Sequence, residues 1–269
     1  MSGDRARLHA AYLEAMGIQA WRLRGAASPA ASRESNATPA APPAQPRLSV
    51  ETRPPETGGC SVSAPTHSVA VVSGQASRQS VAAFDWPQLE AAVAGCTLCE
   101  LHEGRTHTVF GVGNRGARWL IIGEAPGRDE DLQGEPFVGR AGQLLNAMLL
   151  AIGLQREQVY IANILKCRPP NNRDPRPEEV VCCEPYLLRQ IALIRPRLIL
   201  AVGRIAAQNL LKTDQAIGKL RGRVHYLGET RIPVIATYHP AYLLRSPQEK
   251  RKAWQDLQLA QQVFAENAG

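Results

Sequence analysis

The sequence has no apolar run that approaches the roughly 20 residues a membrane-spanning helix requires. Its first thirty residues also lack the continuous apolar segment of a secretory signal peptide. These two absences predict a cytoplasmic protein with no membrane segment. Stable disulfides are uncommon in that compartment, so clustered cysteines there more often hold metal or carry out redox chemistry.

The 269 residues carry a formal net charge of +7, and 44% of them are hydrophobic. That apolar content suffices for a substantial core. A basic chain is typical of proteins with a nucleic-acid partner, but an arginine-biased composition without such a partner gives the same charge. The charge therefore supports a nucleic-acid function without establishing one.

Composition divides the chain into three parts. Residues 30 to 80 are rich in Ala, Pro, Ser, Thr and Gly without a sustained period, so they cannot bury enough apolar surface to offset their chain entropy. The predicted parts are a short helical element, a disordered linker and a folded domain, over residues 1–25, 26–82 and 83–269. The apolar side chains of the helical element share one face: Leu8, Tyr12, Met16 and Ile18. This element either packs loosely or docks a protein partner.

From residue 84 onward, short apolar runs alternate with helical stretches. The predicted strands are WLIIG (119–123), VYIANI (159–164), RLILAVG (197–203) and PVIATY (233–238). Such runs are typical of a parallel sheet that is covered on both faces. We therefore predict an α/β three-layer sandwich with a mainly parallel, four-stranded central sheet, preceded by a disordered N-terminal extension. The loops GEAPGRDED, NILKC and YHPAYLLR should converge, because ligands bind beyond the carboxyl ends of such strands.

Four of the six cysteines fall into a pattern that suits a metal or a cluster. Cys96 and Cys99 form a C-x2-C pair, while Cys167 and Cys183 are separated by fifteen residues. The second close pair of a zinc ribbon is missing. Four thiolates from two segments satisfy either zinc or an iron–sulfur cluster, and ordinary buried thiols are the remaining alternative.

Cys182 and Cys183 are neighbours on a predicted helix, so they point about 100° apart. The apolar stripe of that helix contains Val180 and Leu187, and Cys183 falls on it, whereas Cys182 lies off it. We therefore predict that Cys183 faces the shared site. Cys60, in the linker, has no partner segment and is expected to be free.

Three motifs give the downstream part of the chain a specific likeness. GEAPGRDEDLQGEPFVGRAGQLLNAML (123–149) resembles the family 4 uracil-DNA glycosylases, the iron–sulfur branch of that superfamily, and the likeness continues through YIANILKCRPPNNRDPRPEE and YHPAYLLR. It covers about residues 90 to 265 and excludes 1–80. The resemblance implies hydrolysis of the N-glycosidic bond of uracil in DNA, leaving an abasic site in base excision repair. It also implies a structural 4Fe-4S cluster on four ligands: Cys96, Cys99, Cys167 and Cys183.

Two other functions stay open beside this one. The first is a catalytically silent iron–sulfur protein of the same fold that binds nucleic acid. The second is a zinc-bound α/β enzyme that acts on small nucleotides. For the glycosylase we expect a monomer whose partner is uracil-containing DNA, single- or double-stranded.

Excision of a base requires that it be flipped into a pocket that reads its Watson–Crick edge and stacks on its face. By the resemblance, Phe137 is the stacking platform and Asn163 reads the uracil edge. His239 donates to uracil O2 as negative charge builds on the departing base. Outside the family, Phe137 would be a core residue, Asn163 a strand-end turn residue and His239 a capping or core histidine.

The position that carries a water-activating Asp in the best-known branch of the superfamily is Ala125 here. Glu124 and Glu130 are the nearby carboxylates, and either of them, or the main chain alone, would hold the water. Gly123 and Gly127 are expected to let the backbone approach the flipped nucleotide closely.

Five further residues are candidate DNA contacts. Arg168 and Arg173, in the proline-rich tract KCRPPNNRDPRP, either contact phosphates or solvate a loop. Leu243 or Leu244, in AYLLR, is placed to fill the vacated position in the base stack. Arg245 ends the same motif and is a further DNA-binding candidate.

Overall fold

The computed structural model describes residues 81–267. The predicted helical element over 1–25 and the linker up to residue 80 lie outside the described residues. Val81 is already buried, and it belongs to one apolar cluster with Leu89 and Tyr186. Packing against the domain is therefore present two residues before its predicted start.

Within the described residues, six strands form one sheet: β1 (Val112–Gly113), β2 (Trp119–Gly123), β3 (Tyr160–Asn163), β4 (Leu198–Val202), β5 (Val224–Leu227) and β6 (Ile232–Thr237). Their order across the sheet is β1-β3-β2-β4-β6-β5. β2, β3, β4 and β6 run parallel, whereas β1 and β5 pair antiparallel with β3 and β6 at the two edges.

The helices of the described region are α1 (Trp86–Ala94), α2 (Leu101–Gly104), α3 (Arg128–Gln133), α4 (Arg140–Ala151), α5 (Pro177–Ile194), α6 (Arg204–Leu211), α7 (Ile217–Leu220), α8 (Pro240–Arg245) and α9 (Lys250–Glu266). Single 3-10 turns lie at Arg156–Gln158, Pro170–Asn172, Gly228–Thr230 and Pro247–Glu249. None of the described helices is both long and apolar enough to cross a membrane.

Adjacent residues of β2 face opposite cores. Leu120 and Ile122 pack with residues of α5, α6 and α7, while Trp119 and Ile121 pack with residues of α4, α8 and α9. Since helices cover both faces, every residue of β2 and β4 is buried, as expected of parallel strands. The prediction of an α/β sandwich with a mainly parallel sheet is confirmed.

The expected count of four strands is not confirmed, because two edge strands were missed. β1 has only two residues, and Gly113 within it has a φ of +119°. β5 is partly exposed along its length, and only Leu227 in it is buried. Strands this short or this exposed show no clear alternation of apolar residues. The four predicted strands are the parallel ones.

The parallel strands end side by side, which brings their following loops to one edge of the sheet. Gly123 at the end of β2 pairs in register with Asn163 at the end of β3. The N–H of Gly203, directly after β4, donates to the carbonyl oxygen of Thr237 at the end of β6 (2.8 Å). The loops after β2, β3 and β6 therefore face a common space.

Candidate active site

A cavity of about 410 Å³ opens at the carboxyl edge of the sheet. All three predicted loops contribute to its wall: Glu124 to Gly127 after β2, Asn163 at the end of β3, and His239, Ala241 and Arg245 after β6. Phe137 completes the wall from the turn between α3 and α4. The loops converge as the strand order requires.

Gly123 allows the ring of Phe137 and the amide of Asn163 to meet. A Cβ atom at Gly123 would lie 2.6 Å from Phe137 Cζ and 2.5 Å from Asn163 Oδ1, closer than side chains tolerate. Phe137 is buried and has a φ of +55°, a left-handed conformation that is uncommon outside glycine. The expected close approach at Gly123 thus serves the side chains of the cavity.

The turn that carries Phe137 is held by charged side chains of both signs. Glu130 Oε1 accepts hydrogen bonds from the N–H groups of the two residues after Phe137 (3.0 and 3.2 Å). Arg156 donates to the carbonyl oxygens of Pro136 (2.5 Å) and Phe137 (3.4 Å). A Cβ at Gly127 would lie 2.7 Å from Glu130 Oε2. Glu130 is therefore committed to the turn, and Arg156 is a site residue that sequence reasoning missed.

The side-chain oxygen of Asn163 is buried and has no hydrogen-bond partner among residues 81–267. Only 2% of the residue is exposed, and it lines the cavity. Leaving a buried polar atom unpaired costs about 1–3 kcal/mol, so this oxygen indicates a place for a ligand donor. The main-chain carbonyl of Asn163, by contrast, accepts from Lys166 Nζ (3.0 Å). Burial lowers the pKa of Lys166 to about 7.

His239 lines the cavity as the N-cap residue of α8. Its Nδ1 accepts a hydrogen bond from the N–H of Ala241 (3.1 Å), so the neutral ring carries its proton on Nε2. Burial, reinforced by positive Arg245, lowers the pKa of His239 to about 4. The ring stacks with Phe137, with centroids 5.6 Å apart and planes at 29°. A neutral N–H donor therefore stands beside an aromatic face at pH 7.

Glu124 is the cavity carboxyl group with a shifted pKa. Burial raises its pKa to about 7, negative Asp174 acts in the same direction, and Arg204 opposes both. Arg204 forms an ion pair with Asp174 (2.5 Å), so its charge is shared. Ala125 lines the cavity without a titratable group. A carboxyl group that changes charge near neutral pH inside a cavity is typical of functional sites.

The candidate DNA contacts that are arginines have different surroundings. Arg173 makes two hydrogen bonds to the buried Glu179 carboxylate (2.5 and 3.0 Å), so its charge is already paired within the fold. Arg168 donates to Asn172 Oδ1 (2.7 Å) on an exposed loop. Arg173 and Arg245 both line the cavity, whereas Arg168 is not among its lining residues.

The two leucines of the AYLLR motif have opposite surroundings. Leu243 is 1% exposed and packs in the core with residues of α4 and α9, so the proposal that it enters a base stack is wrong. Leu244 is 36% exposed, because the next residue of a helix turns away from the core by about 100°. Leu244 is the member of the pair that a large ligand can reach.

The cysteines of the described region gather between α1, α2 and α5, and none of them is in a disulfide. Cys99 lies close enough to Cys167, Cys182 and Cys96 for their charges to interact, and Cys183 interacts likewise with Cys167 and Cys99. No group of three or more His, Cys, Asp or Glu side chains within 81–267 is arranged to hold a metal ion. Cys60 lies outside the described residues.

One of the four predicted ligand thiols accepts a hydrogen bond from a charged side chain: Arg105 Nη1 donates to Cys167 Sγ (3.1 Å). Burial raises the pKa of Cys99 to about 11 and that of Cys183 to about 12. Hydrogen bonds to sulfur are a feature of iron–sulfur sites.

The neighbouring Cys182 and Cys183 differ as the helical stripe suggests. Cys183 is 3% exposed and packs in the core with Cys167. Cys182 is partly exposed, and its thiol donates to the carbonyl oxygen of Leu98 (3.2 Å). The orientation supports Cys183 as the better placed of the two for a shared site with Cys167.

A family model and several curated proteins match this chain. Residues 110–258 match the family model described as Uracil DNA glycosylase superfamily. The chain is 53% identical over 162 residues to the type-4 uracil-DNA glycosylase of Archaeoglobus fulgidus, covering 58% of this chain and 81% of that relative. It is 48% identical over 156 residues to the type-4 enzyme of Thermotoga maritima (57% and 80% covered). It is 40% identical over 180 residues to that of Pyrobaculum aerophilum (65% and 92% covered).

The low pKa of His239 predicts a specific pH dependence of stability. A histidine in the unfolded chain has a pKa of about 6.5, so the unfolded state binds more protons below that pH. The free energy of unfolding should therefore fall as the pH drops from about 6.5 towards 4. Nitrogen-15 NMR should show His239 neutral, with its proton on Nε2, throughout that range down to about pH 5.

His239→Gln should lack this part of the pH dependence, whereas His225→Gln, in β5 and away from the cavity, should retain it. An His239 ring that titrates close to pH 6.5 would contradict the assignment, as would a proton on Nδ1 in the neutral form.

Proposed function

The chain belongs to the family 4 branch of the uracil-DNA glycosylase superfamily, and from that premise we propose that it removes uracil from DNA by hydrolysing the N-glycosidic bond and leaving an abasic site. The observation that carries the proposal is the buried, unpaired Oδ1 of Asn163 in the wall of the cavity. It stands with a stacking ring, Phe137, and a neutral donor, His239. A protein that only bound nucleic acid would not need an unpaired amide oxygen, a stacking ring and a neutral N–H donor in one cavity.

Asn163 supplies both kinds of hydrogen bond that the edge of uracil requires. Its Oδ1 accepts from uracil N3–H and its Nδ2 donates to uracil O4, whereas cytosine presents the reverse pattern. The base thereby satisfies the atom that is left unpaired in the free protein. Phe137, whose turn is held by Glu130 and Arg156, supplies the face on which the flipped base stacks.

His239 donates from Nε2–H to uracil O2 while the glycosidic bond breaks and negative charge builds on the base. The hydrogen bond from Ala241 N–H to Nδ1 fixes the tautomer that this role needs. Because the donor is already oriented in the free protein, the departing charge is stabilised without reorganisation of the site.

Glu124 is the carboxyl group that we assign to the sugar side of the reaction. The sugar becomes oxocarbenium-like as the base leaves, and a nearby carboxylate stabilises that charge or orients the attacking water. Ala125 has no such group, and Glu130 is engaged by the turn before α4. With its pKa at about 7, Glu124 becomes increasingly ionised as the pH rises through neutrality.

We further propose that Cys96, Cys99, Cys167 and Cys183 hold a 4Fe-4S cluster. Four cysteine thiolates are the ligand set that such a cluster would require. The hydrogen bond from Arg105 Nη1 to Cys167 Sγ (3.1 Å) supports the assignment. The role is structural, because these cysteines do not line the cavity and because they join the α1–α2 segment to α5.

The DNA substrate, single- or double-stranded, would meet the protein at the residues that flank the cavity. Leu244 fills the space that the flipped base leaves, while Arg245 and Arg168 contact the phosphates. Arg173 is the weaker candidate, because Glu179 already pairs with it. A protein partner for the N-terminal element, a monomeric state and a cytoplasmic location stay predictions from the sequence.

An oligonucleotide with one uracil tests the activity directly. We expect release of uracil and an abasic site that alkali cleaves, and no cleavage when thymine replaces uracil. A folded, iron-containing chain that binds this oligonucleotide without releasing uracil would instead be the catalytically silent protein of the same fold.

Asn163→Asp tests base recognition. The substitution keeps the shape and replaces the donor to uracil O4 by an acceptor, so lone pairs face each other. An unmet buried polar contact costs about 1–3 kcal/mol, which is about fivefold to a hundredfold in rate. Uracil excision should fall by at least this factor, and slow cytosine excision should appear at lower pH, where a protonated carboxyl group accepts from the cytosine amino group and donates to N3.

Asn209→Asp, on α6 and away from the cavity, is the matched control and should excise uracil at nearly the parent rate. Parent-like uracil turnover by a folded Asn163→Asp chain would show that Asn163 does not read the base.

The adjacent cysteines of α5 provide a matched pair for the cluster. The parent chain, purified without oxygen, should be brown and contain iron rather than zinc. Cys183→Ala should lose the iron and the broad visible absorption, because one of four ligands is gone. Cys182→Ala should retain both. The cluster assignment is wrong if the Cys182 variant is the colourless one, or if metal analysis finds zinc.

Leu244→Ala tests the filling of the base stack. Unstacking a base step costs a few kcal/mol, and a side chain that fills the gap offsets part of it. Removing that side chain should slow excision from duplex DNA at least about fivefold, with a smaller effect on single strands, which have less stacking to lose. Leu188→Ala, at an exposed leucine of α5, should change neither rate. Equal losses on both substrates would exclude this role for Leu244.

A further inference from the structure

Lys166 is among the most deeply buried side chains of the domain, with 1% of its surface exposed. Among the ion pairs of residues 81–267, none includes it. Burying a lysine without a carboxylate partner is costly, so its amino group must have a specific use. The two atoms to which this amino group donates hydrogen bonds indicate that use.

The Nζ atom of Lys166 is held between a helix and a strand end. It donates to Gln190 Oε1 of α5 (2.7 Å) and to the main-chain oxygen of Asn163 (3.0 Å). Gln190 is fixed in turn, because its Nε2 donates to the carbonyl oxygen of Phe110 (2.9 Å) and contacts the hydroxyl of Tyr160 (3.5 Å). The lysine therefore reaches Asn163 from an anchored position.

The peptide group that follows Asn163 is held at both ends. Its oxygen accepts from Lys166, and its N–H, on Ile164, donates to the carbonyl oxygen of Gly123 (3.0 Å). These two hydrogen bonds fix the plane of the peptide group that follows the Asn163 Cα atom. The direction of the Asn163 side chain is fixed with it. The side-chain oxygen has no partner of its own among the described residues, so the backbone must supply this orientation.

We propose that Lys166 is a positioning residue for base recognition, which fixes the peptide of Asn163 so that its amide meets the edge of the flipped base. The inference rests on the proposed function, because it requires that Asn163 read the base. A misplacement of about 1 Å in such a site can cost as much as a hundredfold in rate. Lys166 itself does not touch the substrate.

The test must separate this role from the cysteines, because Lys166 directly precedes Cys167, one of the proposed cluster ligands. Lys166→Met retains the length of the side chain but removes both hydrogen bonds that Nζ donates. We expect iron content and visible absorption equal to those of the parent. The single-turnover excision rate should fall at least about tenfold, and free uracil should bind more weakly, while the affinity for uracil-free DNA stays the same.

A double-mutant cycle with Asn163→Ala shows whether Lys166 acts through Asn163. Residues that act as a unit are not additive, so adding Lys166→Met to Asn163→Ala should change the rate less than about twofold. Equal losses in the two backgrounds would overturn the proposal, as would a parent-like rate in Lys166→Met. Parent-like excision by Asn163→Ala alone would instead contradict the proposed role of Asn163. That measurement requires no lysine variant.

Two further variants keep the test decisive. Tyr160→Phe removes the hydroxyl near Gln190 but leaves the bond from Lys166 to Asn163, so excision should stay within about twofold of the parent. If Lys166→Met does not retain iron, Gln190→Met carries the test, because it frees the lysine from its anchor. Its loss of rate must likewise disappear in the Asn163→Ala background, and a loss that persists there overturns the proposal.

Discussion

The absence of a side chain at Gly123 is the constraint on which the cavity depends. β2 and β3 end side by side, and their parallel register sets Gly123 opposite Asn163. A Cβ atom at this point would occupy the space in which the Phe137 ring and the Asn163 amide approach each other. The sheet topology places the ends of β2 and β3 side by side. Glycine at position 123 leaves the space that the Phe137 ring and the Asn163 amide occupy. The same register with a larger residue would force the ring or the amide away.

Burial gives the cavity its chemical character, but it shifts the pKa values of His239 and Glu124 in opposite directions. Desolvation lowers the pKa of His239 to about 4 and raises that of Glu124 to about 7, so it favours the neutral form of both. The neutral form is the useful one for a histidine that donates to a departing base. A carboxyl group that supports a cationic sugar must be ionised. Both conditions hold together only above about pH 7, where Arg204 helps the carboxylate.

Local pattern predicted those parts of the fold that are covered on both faces. The bounds of β2 agree with the apolar run WLIIG, whereas β1 and β5 were missed because edge strands need not be apolar. Motif resemblance found Phe137, Asn163 and His239. It did not separate Leu243 from Leu244, since only the packing of α8 against its neighbours decides which is buried. Arg156 was missed because its partners lie about twenty residues away, a contact that no local pattern encodes.

The cysteines and the cavity are separate sites that share one short segment of chain. That segment begins at Asn163 in the cavity wall and ends at Cys167. Within it, Lys166 donates from Nζ to the main-chain oxygen of Asn163 and directly precedes Cys167. The two regions are thus connected through the chain itself, because the residue that bonds to the Asn163 peptide is the neighbour of a cysteine that would hold the proposed cluster.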